Sequence, residues 1–168
     1  ENLAATPADE QEQGNTLVGK TSLAAALSSM GEHAEAEAMQ REVHAAQVRV
    51  LGEEHLDTLT TMTCLSTSLY QQGKYAEAEA MQREVLAVKK RVLGEGHLDT
   101  LATAAHLATS LYQQGRYAEA EKMQREVLEV RKRVLGPEHA DTLTTAGNLA
   151  TSLSEQGKHA EAEQMQRE

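Results

Sequence analysis

Apolar residues recur along the chain at intervals of three and four, which places them on one face of an α-helix. One run carries its stripe on Leu59, Met62, Leu65, Ser66 and Leu69. The next run carries its stripe on Ala78, Met81, Val85, Val88 and Val92. Between them lies Gly73, where a glycine ends a helix, and the second helix should begin near Tyr75. The pattern therefore predicts a pair of helices joined by a tight turn.

The helix pair is repeated along the chain with a period of 42 residues. Leu51-Gly52 recurs as Leu93-Gly94 and as Leu135-Gly136, and only eleven of 42 paired positions differ between 55–96 and 97–138. Because a single pair cannot bury its own apolar face, neighbouring pairs should stack into a solenoid. We therefore predict an all-α superhelix of about four helix pairs.

The repeat also predicts the division of the chain. We divide it into a polar lead-in at 1–12, units at 13–54, 55–96 and 97–138, and a shortened fourth unit at 139–168. The fourth unit stops inside an element, so we expect the chain to be a piece of a longer array. Its uncovered apolar face could allow self-association. Residues of the capping type precede each first helix, and we expect N-caps at Asn15, Asp57, Asp99 and Asp141.

Composition supports helices and narrows the function. The chain has no Trp or Phe, so Leu, Ala, Val and Met must form the core. Its formal net charge of −10 disfavours nucleic acid, which requires a basic surface. No apolar run is long enough to span a membrane, and residues 1–13 lack the pattern of a signal peptide. With a single cysteine, Cys64, we expect a cytoplasmic protein.

The stretch SLYQQGKYAEAEAMQREVL resembles the tetratricopeptide repeat, with its Leu-rich first helix, Gly-Lys-Tyr turn and Glu-Ala pair. The 42-residue period, together with LATSLYQQGRYAEAE and RVLGPEHADT, is similar to the kinesin-light-chain subtype. Similar units occur in receptor-type nucleotide-binding proteins. The resemblance covers about residues 13–168. HEAT repeats have a comparable period but lack the Gly-Lys-Tyr turn.

The resemblance implies a function in protein interaction, with the first helices lining a concave groove and no catalytic activity or cofactor. The candidate groove residues are Thr60, Thr63, Cys64, Thr67, Tyr70, Gln71, Ala102, Ala105, His106, Thr109, Tyr112, Gln113, Thr144, Gly147, Asn148, Thr151 and Glu155. None of these is Lys or Arg, whereas the related repeats that bind acidic peptides or terminal carboxylates use basic groove residues. We therefore expect a partner segment that is neutral or basic.

Much of the variation between units falls on these groove positions. Between Asp99–Gln113 and Asp141–Glu155 five positions differ, and all five lie on the predicted inner face. A constant scaffold with one variable stripe is typical of a modular binding surface. The alternative is that groove positions tolerate change because they pack against nothing, and some outer positions, such as Ala87 and Glu129, vary as well.

A second hypothesis is a nucleotide-binding switch, because Gly14–Thr21 fits the phosphate-binding pattern G-x-x-x-x-G-K-[ST]. In that chemistry Lys20 would contact the phosphates and Thr21 would bind Mg²⁺. The pattern requires a buried strand before it, yet Ala8–Gln13 reads ADEQEQ. The repeat also aligns the segment with the interior of a helix, so we favour the helix.

Two further sets of residues suggest chemistry that their spacing disfavours. Cys64, His106 and Asn148 occupy equivalent positions in successive units, but packed helices lie about 8–10 Å apart, too far for a thiol nucleophile and its base. His55, His97 and His139 each precede an aspartate by two residues, and one unit between copies excludes a shared metal ion. We expect these histidines to stabilise turns. The basic runs 89–91 and 131–133 should be solvated helix ends.

Overall fold

The structure is a computed structural model that describes residues 7–167, with side chains described for residues 16–165. Within this range the chain forms eight α-helices and no strand, so the predicted all-α class is confirmed. The helices are α1 (Pro7–Ser29), α2 (His33–Leu51), α3 (Leu56–Gln71), α4 (Tyr75–Val92), α5 (Leu98–Gln113), α6 (Tyr117–Leu135), α7 (Ala140–Glu155) and α8 (His159–Arg167).

Each helix packs against the next within two compact units, residues 1–73 and 74–168. In the first unit α1 packs against α2, and α2 against α3. In the second unit α4 to α8 pack in succession, and α5 also touches α7. Consecutive packing of this kind is the arrangement expected of stacked helix pairs.

The first helices bury the predicted stripe. Leu59, Leu65 and Leu69 of α3 are almost inaccessible to solvent, as are their three counterparts on α5. On α7 the counterparts Leu149 and Leu153 are buried, whereas Leu143 is exposed. In the second unit, Leu107 and Leu111 join Ala120 and Val127 in one core cluster. A further cluster contains Leu128, Leu149, Ala150, Leu153 and Ala162. Leucines of α3, α5 and α7 therefore supply most of the largest fully buried side chains among the described residues.

The second helices differ from the prediction. Ala78 and Val85 of α4 are buried, but Met81 and Val88 are only half-buried and Val92 is exposed. The buried row includes four residues that the apolar pattern omitted: Glu79, Gln82, Leu86 and Lys89. Polar side chains can occupy a buried row when they find hydrogen-bond partners, as Lys89 does with Thr103.

Histidine, and not aspartate, caps the first helices. α3, α5 and α7 begin one residue after His55, His97 and His139, whose Nδ1 atoms accept hydrogen bonds from the aspartate N–H two residues on, at 3.1–3.2 Å. The predicted N-caps Asp57, Asp99 and Asp141 are therefore wrong, because these residues lie in the first turn. The predicted turn-stabilising histidines are confirmed.

The predicted N-cap Asn15 is also wrong, because α1 begins at Pro7 and continues through this position. Residues 7–12 of the predicted lead-in are therefore helical. Gly73, by contrast, stands where the turn prediction placed it. Its φ of +77° lies in the left-handed region, where a side chain would be strained. It separates α3 from α4 as expected.

Replacing His97 with alanine should lower the free energy of unfolding by about 1 kcal/mol, because the N–H of Asp99 loses its acceptor. Equilibrium urea unfolding measures the change. His97→Asn is the control, since asparagine is a strong N-cap and should retain most of the stability. Equal losses in both variants would mean that the histidine stabilises the turn by something other than capping.

A polar network repeats at the start of each second helix. Glu121 accepts hydrogen bonds from Gln156 Nε2 at 2.8 Å, Lys158 Nζ at 2.7 Å and Arg125 Nε at 2.9 Å. Its counterpart Glu79 accepts from Gln114, Arg116 and Arg83 at 2.7–2.9 Å. In the first unit Gln72 donates to Glu37 in the same way. We call these the Glu–Gln networks.

The two Glu–Gln networks within residues 74–168 lower the pKa of their carboxylates. Burial alone would raise the pKa of Glu121, but the hydrogen bonds from Lys158, Gln156 and Arg125 outweigh it and lower the pKa to about 2. In Glu79 too, burial acts against the hydrogen bonds of its partners, and the pKa is again lowered. Each network therefore holds a charged carboxylate against the helix pair that follows.

Candidate functional site

Six candidate groove residues lie in the compact unit of residues 1–73, and all six are on α3. Thr60, Cys64 and Gln71 are exposed, and Thr63, Thr67 and Tyr70 are half-buried. The two hydroxyls of Thr63 and Thr67 donate to backbone carbonyls one turn back. None of the six is part of the core, so all remain accessible.

The other candidate groove residues lie in the compact unit of residues 74–168, on α5 and α7. On α5, His106 and Gln113 are exposed, and Ala102, Ala105, Thr109 and Tyr112 are half-buried. On α7, the five candidates are exposed: Thr144, Gly147, Asn148, Thr151 and Glu155. Since α5 and α7 also touch each other, their candidate residues form one continuous accessible surface.

A pocket of about 140 Å³ opens on this surface. Five of its six lining residues are candidate groove residues, namely Thr109, Tyr112, Gln113, Asn148 and Thr151. The sixth is Gln124 of α6, which the sequence prediction omitted. Gln124 lies in the buried row of α6, but no sequence signal identifies it, because a glutamine between Met123 and Arg125 has the polarity of a solvated residue.

Tyr112 connects the two first helices of this surface. Its hydroxyl donates to Glu155 Oε1 at 3.4 Å, across from α5 to α7. Its ring lies 5.2 Å from the ring of Tyr117 in a tilted arrangement. Burial, followed by the nearby Glu155 carboxylate, raises the pKa of Tyr112. The tyrosine is therefore held as a neutral, partly accessible ring at the end of α5.

The side chains of Lys89 and Arg131 are buried against α5 and α7. The prediction that these two residues are solvated is wrong. Lys89 and Arg131 were expected at solvated helix ends, but only 6% and 7% of their surface is exposed. Lys89 donates to Thr103, and Arg131 donates to Thr145 and to the carbonyl of Asp141. Long side chains can fold their apolar stems over a helix and place the charge at a distant polar partner.

His106 stands on α5 near both cations. Its pKa is lowered, first because surrounding protein desolvates the ring and then because Lys89 and Arg131 are positive. Although the side chain still reaches solvent, the imidazole is therefore neutral at neutral pH. His106 belongs to the candidate groove surface as an uncharged polar residue.

The phosphate-binding pattern Gly14–Thr21 lies within the continuous helix α1. Thr21 Oγ1 donates to the carbonyl of Leu17 at 2.9 Å, and Lys20 Nζ pairs with Glu42 at 2.7 Å. A phosphate cradle needs a loop whose backbone N–H groups point inward, whereas helical N–H groups are bonded along the axis. The helical interpretation of this segment is confirmed, and nothing in its geometry supports nucleotide binding.

The described part of the chain offers neither a metal centre nor a membrane span. Across the described residues, no three His, Cys, Asp or Glu side chains converge as metal ligands. Within residues 7–167 no helix has the length and apolar character needed to cross a membrane.

Solved structures of similar fold include one of a Podosopora anserina protein assigned as a kinesin light chain with nearly identical TPR-like repeats. It is 25% identical, with a TM-score of 0.81 over 89% of this chain and 71% of that one. A structure of the same description that carries a single substitution is 24% identical, with a TM-score of 0.79 over 99% and 76%. BtubC (BKLC) from P. vanneervenii is 21% identical, with a TM-score of 0.81 over 87% and 58%. Among curated protein sequences none matches this chain.

The tetratricopeptide repeat model matches the sequence three times, at residues 13–91, 60–132 and 99–168. These overlapping matches cover nearly the whole chain, and they coincide with the consecutive helix pairs of the structure. The predicted resemblance is therefore confirmed from sequence and fold together. The chain belongs to the tetratricopeptide repeat family, and its fold is similar to that of the kinesin light chain repeats described above.

Proposed function

We propose that the chain binds a peptide or protein segment in the groove lined by its first helices, as the sensor or scaffold part of a larger protein. Membership of the tetratricopeptide repeat family makes it a protein-interaction module. The observation that carries the finer proposal is the pocket between α5 and α7, which is lined by five candidate groove residues. Shallow concave surfaces with polar and aromatic lining suit peptide recognition.

The chemistry of the groove favours a partner that is neutral or basic. Thr, Gln, Asn and Tyr side chains provide hydrogen bonds, and Glu155 provides the one charge among the candidate groove residues, His106 being neutral. The cations Lys89 and Arg131 contribute little to the accessible surface, because both are buried against the following first helix. A cytoplasmic location, and self-association through the exposed Leu143 of α7, remain separate predictions.

Peptides selected from a random library against the chain should lose at least about tenfold in affinity when Thr109 is replaced by arginine. Thr109 lines the pocket and is half-buried, so the longer side chain would occupy the space that a ligand needs. Isothermal titration calorimetry measures the affinity, and circular dichroism verifies the fold.

The matched control is Ala87→Arg, which adds the same charge to an exposed position of α4 outside the groove. Its affinity should stay within about twofold of the wild type, because surface changes away from a contact have little effect. Selected peptides that bind both variants equally well would show that the groove is not the binding site.

A further inference from the structure

The pocket between α5, α6 and α7 contains a buried hydrogen-bond acceptor without a donor. Gln124 is 4% exposed, and its carbonyl oxygen has no hydrogen-bond partner among the described residues. The same residue lines the pocket. An unsatisfied buried acceptor is destabilising, so a bound donor would stabilise it. The equivalent Gln82 and Gln40 also have unpaired carbonyl oxygens, so the acceptor recurs along the repeats.

The other groups around the pocket also present acceptors. The hydroxyls of Thr109 and Thr151 donate to carbonyls of their own helices at 3.0 Å. The Tyr112 hydroxyl donates to Glu155. Since each hydroxyl has one hydrogen, what remains for a ligand is the lone pairs of the oxygen. The hydroxyls and the Gln124 carbonyl therefore favour a ligand group that donates hydrogen bonds, whereas the amides of Gln113 and Asn148 can donate or accept.

A carboxylate beside the pocket, that of Glu155, favours a ligand group with a positive charge. Glu155 is exposed, receives only the long bond from Tyr112, and forms no ion pair with a described cation. The equivalent positions of the earlier units, Gln71 and Gln113, are neutral amides. The charge is thus particular to the last unit, where a cation would find an unpaired partner.

The helix ends add to this preference. α5 and α7 have no basic residue in the last turn, so their partial negative charge is uncompensated at the end that holds Tyr112 and Glu155. The ring of Tyr112, held by Tyr117, offers a face on which a guanidinium or an alkyl stem can stack.

Two buried cations, Lys89 and Arg131, lie toward the other end of α5 and α7. Arg116 and Lys158 follow the C-terminal ends of these helices, but they are paired with Glu79 and Glu121. Arg131 bonds to Thr145, which precedes Glu155 by ten residues, roughly 15 Å along the helix. Lys89 bonds to Thr103 on α5, ten residues before Gln113. His106, between them, is neutral at neutral pH. A cation at Glu155 would therefore meet little repulsion from these groups.

We propose that the Gln124–Glu155 pocket is a subsite for one lysine or arginine side chain of the bound segment. The charged head would pair with Glu155 and donate to the Gln124 carbonyl, and the stem would lie on Tyr112. This inference rests on the proposed groove function and assigns one chemical feature of its ligand.

The test uses peptides selected from a random library against the wild-type chain and sensitive to Thr109→Arg. They should carry a Lys or Arg whose replacement by a neutral analogue, citrulline for arginine, lowers affinity about tenfold. Glu155→Gln should lower affinity by a similar factor, and in a double-mutant cycle the two losses should not add. Gln124→Met, which keeps the side-chain length but removes the carbonyl, should weaken the same peptides.

The matched control is Glu129→Gln, which removes a carboxylate from an exposed position of α6 and should leave affinity unchanged within about twofold. Groove-dependent peptides that lack a basic residue, or that bind Glu155→Gln as well as wild type, would overturn the subsite and leave the proposed function standing. Absence of any peptide sensitive to Thr109→Arg would overturn both.

Discussion

Replacing Leu101 with alanine should lower the free energy of unfolding by about 2–4 kcal/mol, a large fraction of the stability of a small domain. Leu101 is 4% exposed and belongs to the core cluster that includes Leu107 and Val127, with Val130 packed against it. The second half of α6 supplies these valines. Truncation would leave a cavity between helices, and equilibrium urea unfolding measures the loss.

The chain contains its own matched control for this substitution. Leu143 occupies the equivalent position of α7, but it is 57% exposed. The helix after α7 is α8, which is described only from His159 to Arg167, so no described counterpart of Val130 covers Leu143. Leu143→Ala should cost less than about 1 kcal/mol. Similar losses at both positions would mean that cover by the following second helix does not stabilise Leu101.

Replacing Glu121 with glutamine should cost about 2 kcal/mol at neutral pH, because Lys158 and Arg125 lose their shared carboxylate while Gln156 keeps an acceptor. The loss falls short of that for a fully buried pair, since the side chains of Lys158 and Arg125 are 42% and 45% exposed and can return to water. Glu126→Gln, at an exposed position of the same helix, is the control and should be nearly neutral.

The pH dependence gives the same prediction a second readout. The folded-state pKa of Glu121 is about 2, below the ordinary value of 4.5, so folding favours the charged form. Its contribution is complete above about pH 4.5 and is lost as the pH falls toward 2. Urea unfolding at several pH values should therefore show a smaller decline for Glu121→Gln than for wild type. An identical decline in both proteins would contradict the network.

The sequence predicts α3 and α5 well, because leucines at intervals of three and four lie on one face of a helix and can be buried together against a neighbouring helix. Leu59, Leu65 and Leu69 all lie in the core. The second helices are harder, since their buried rows include Gln82 and Lys89, whose burial depends on partners contributed by other helices. Local hydropathy contains no information about such partners. The aspartate N-cap predictions are wrong because the helix begins one residue before the aspartate, and His97 accepts a hydrogen bond from the N–H of Asp99 in the first turn.

The candidate site could be predicted in part. The resemblance to known repeats supplied the inner face of the first helices, and the structure brings Thr109, Tyr112 and Asn148 around one pocket. Gln124 was missed because it comes from a second helix, where a glutamine between Met123 and Arg125 looks like a solvated residue. Its inward position depends on how α6 packs, which is a property of the stacked pairs.

The Glu–Gln networks have a consequence for the addition of further repeats to such an array. Glu79 and Glu121 present the same edge to the following helix pair, and Gln114 with Arg116 and Gln156 with Lys158 present the same complementary edge. The junctions that follow α4 and α6 therefore use the same set of contacts. Gene duplication can lengthen the array without inventing a new contact, and each added copy brings a first helix whose outward residues are left available for divergence.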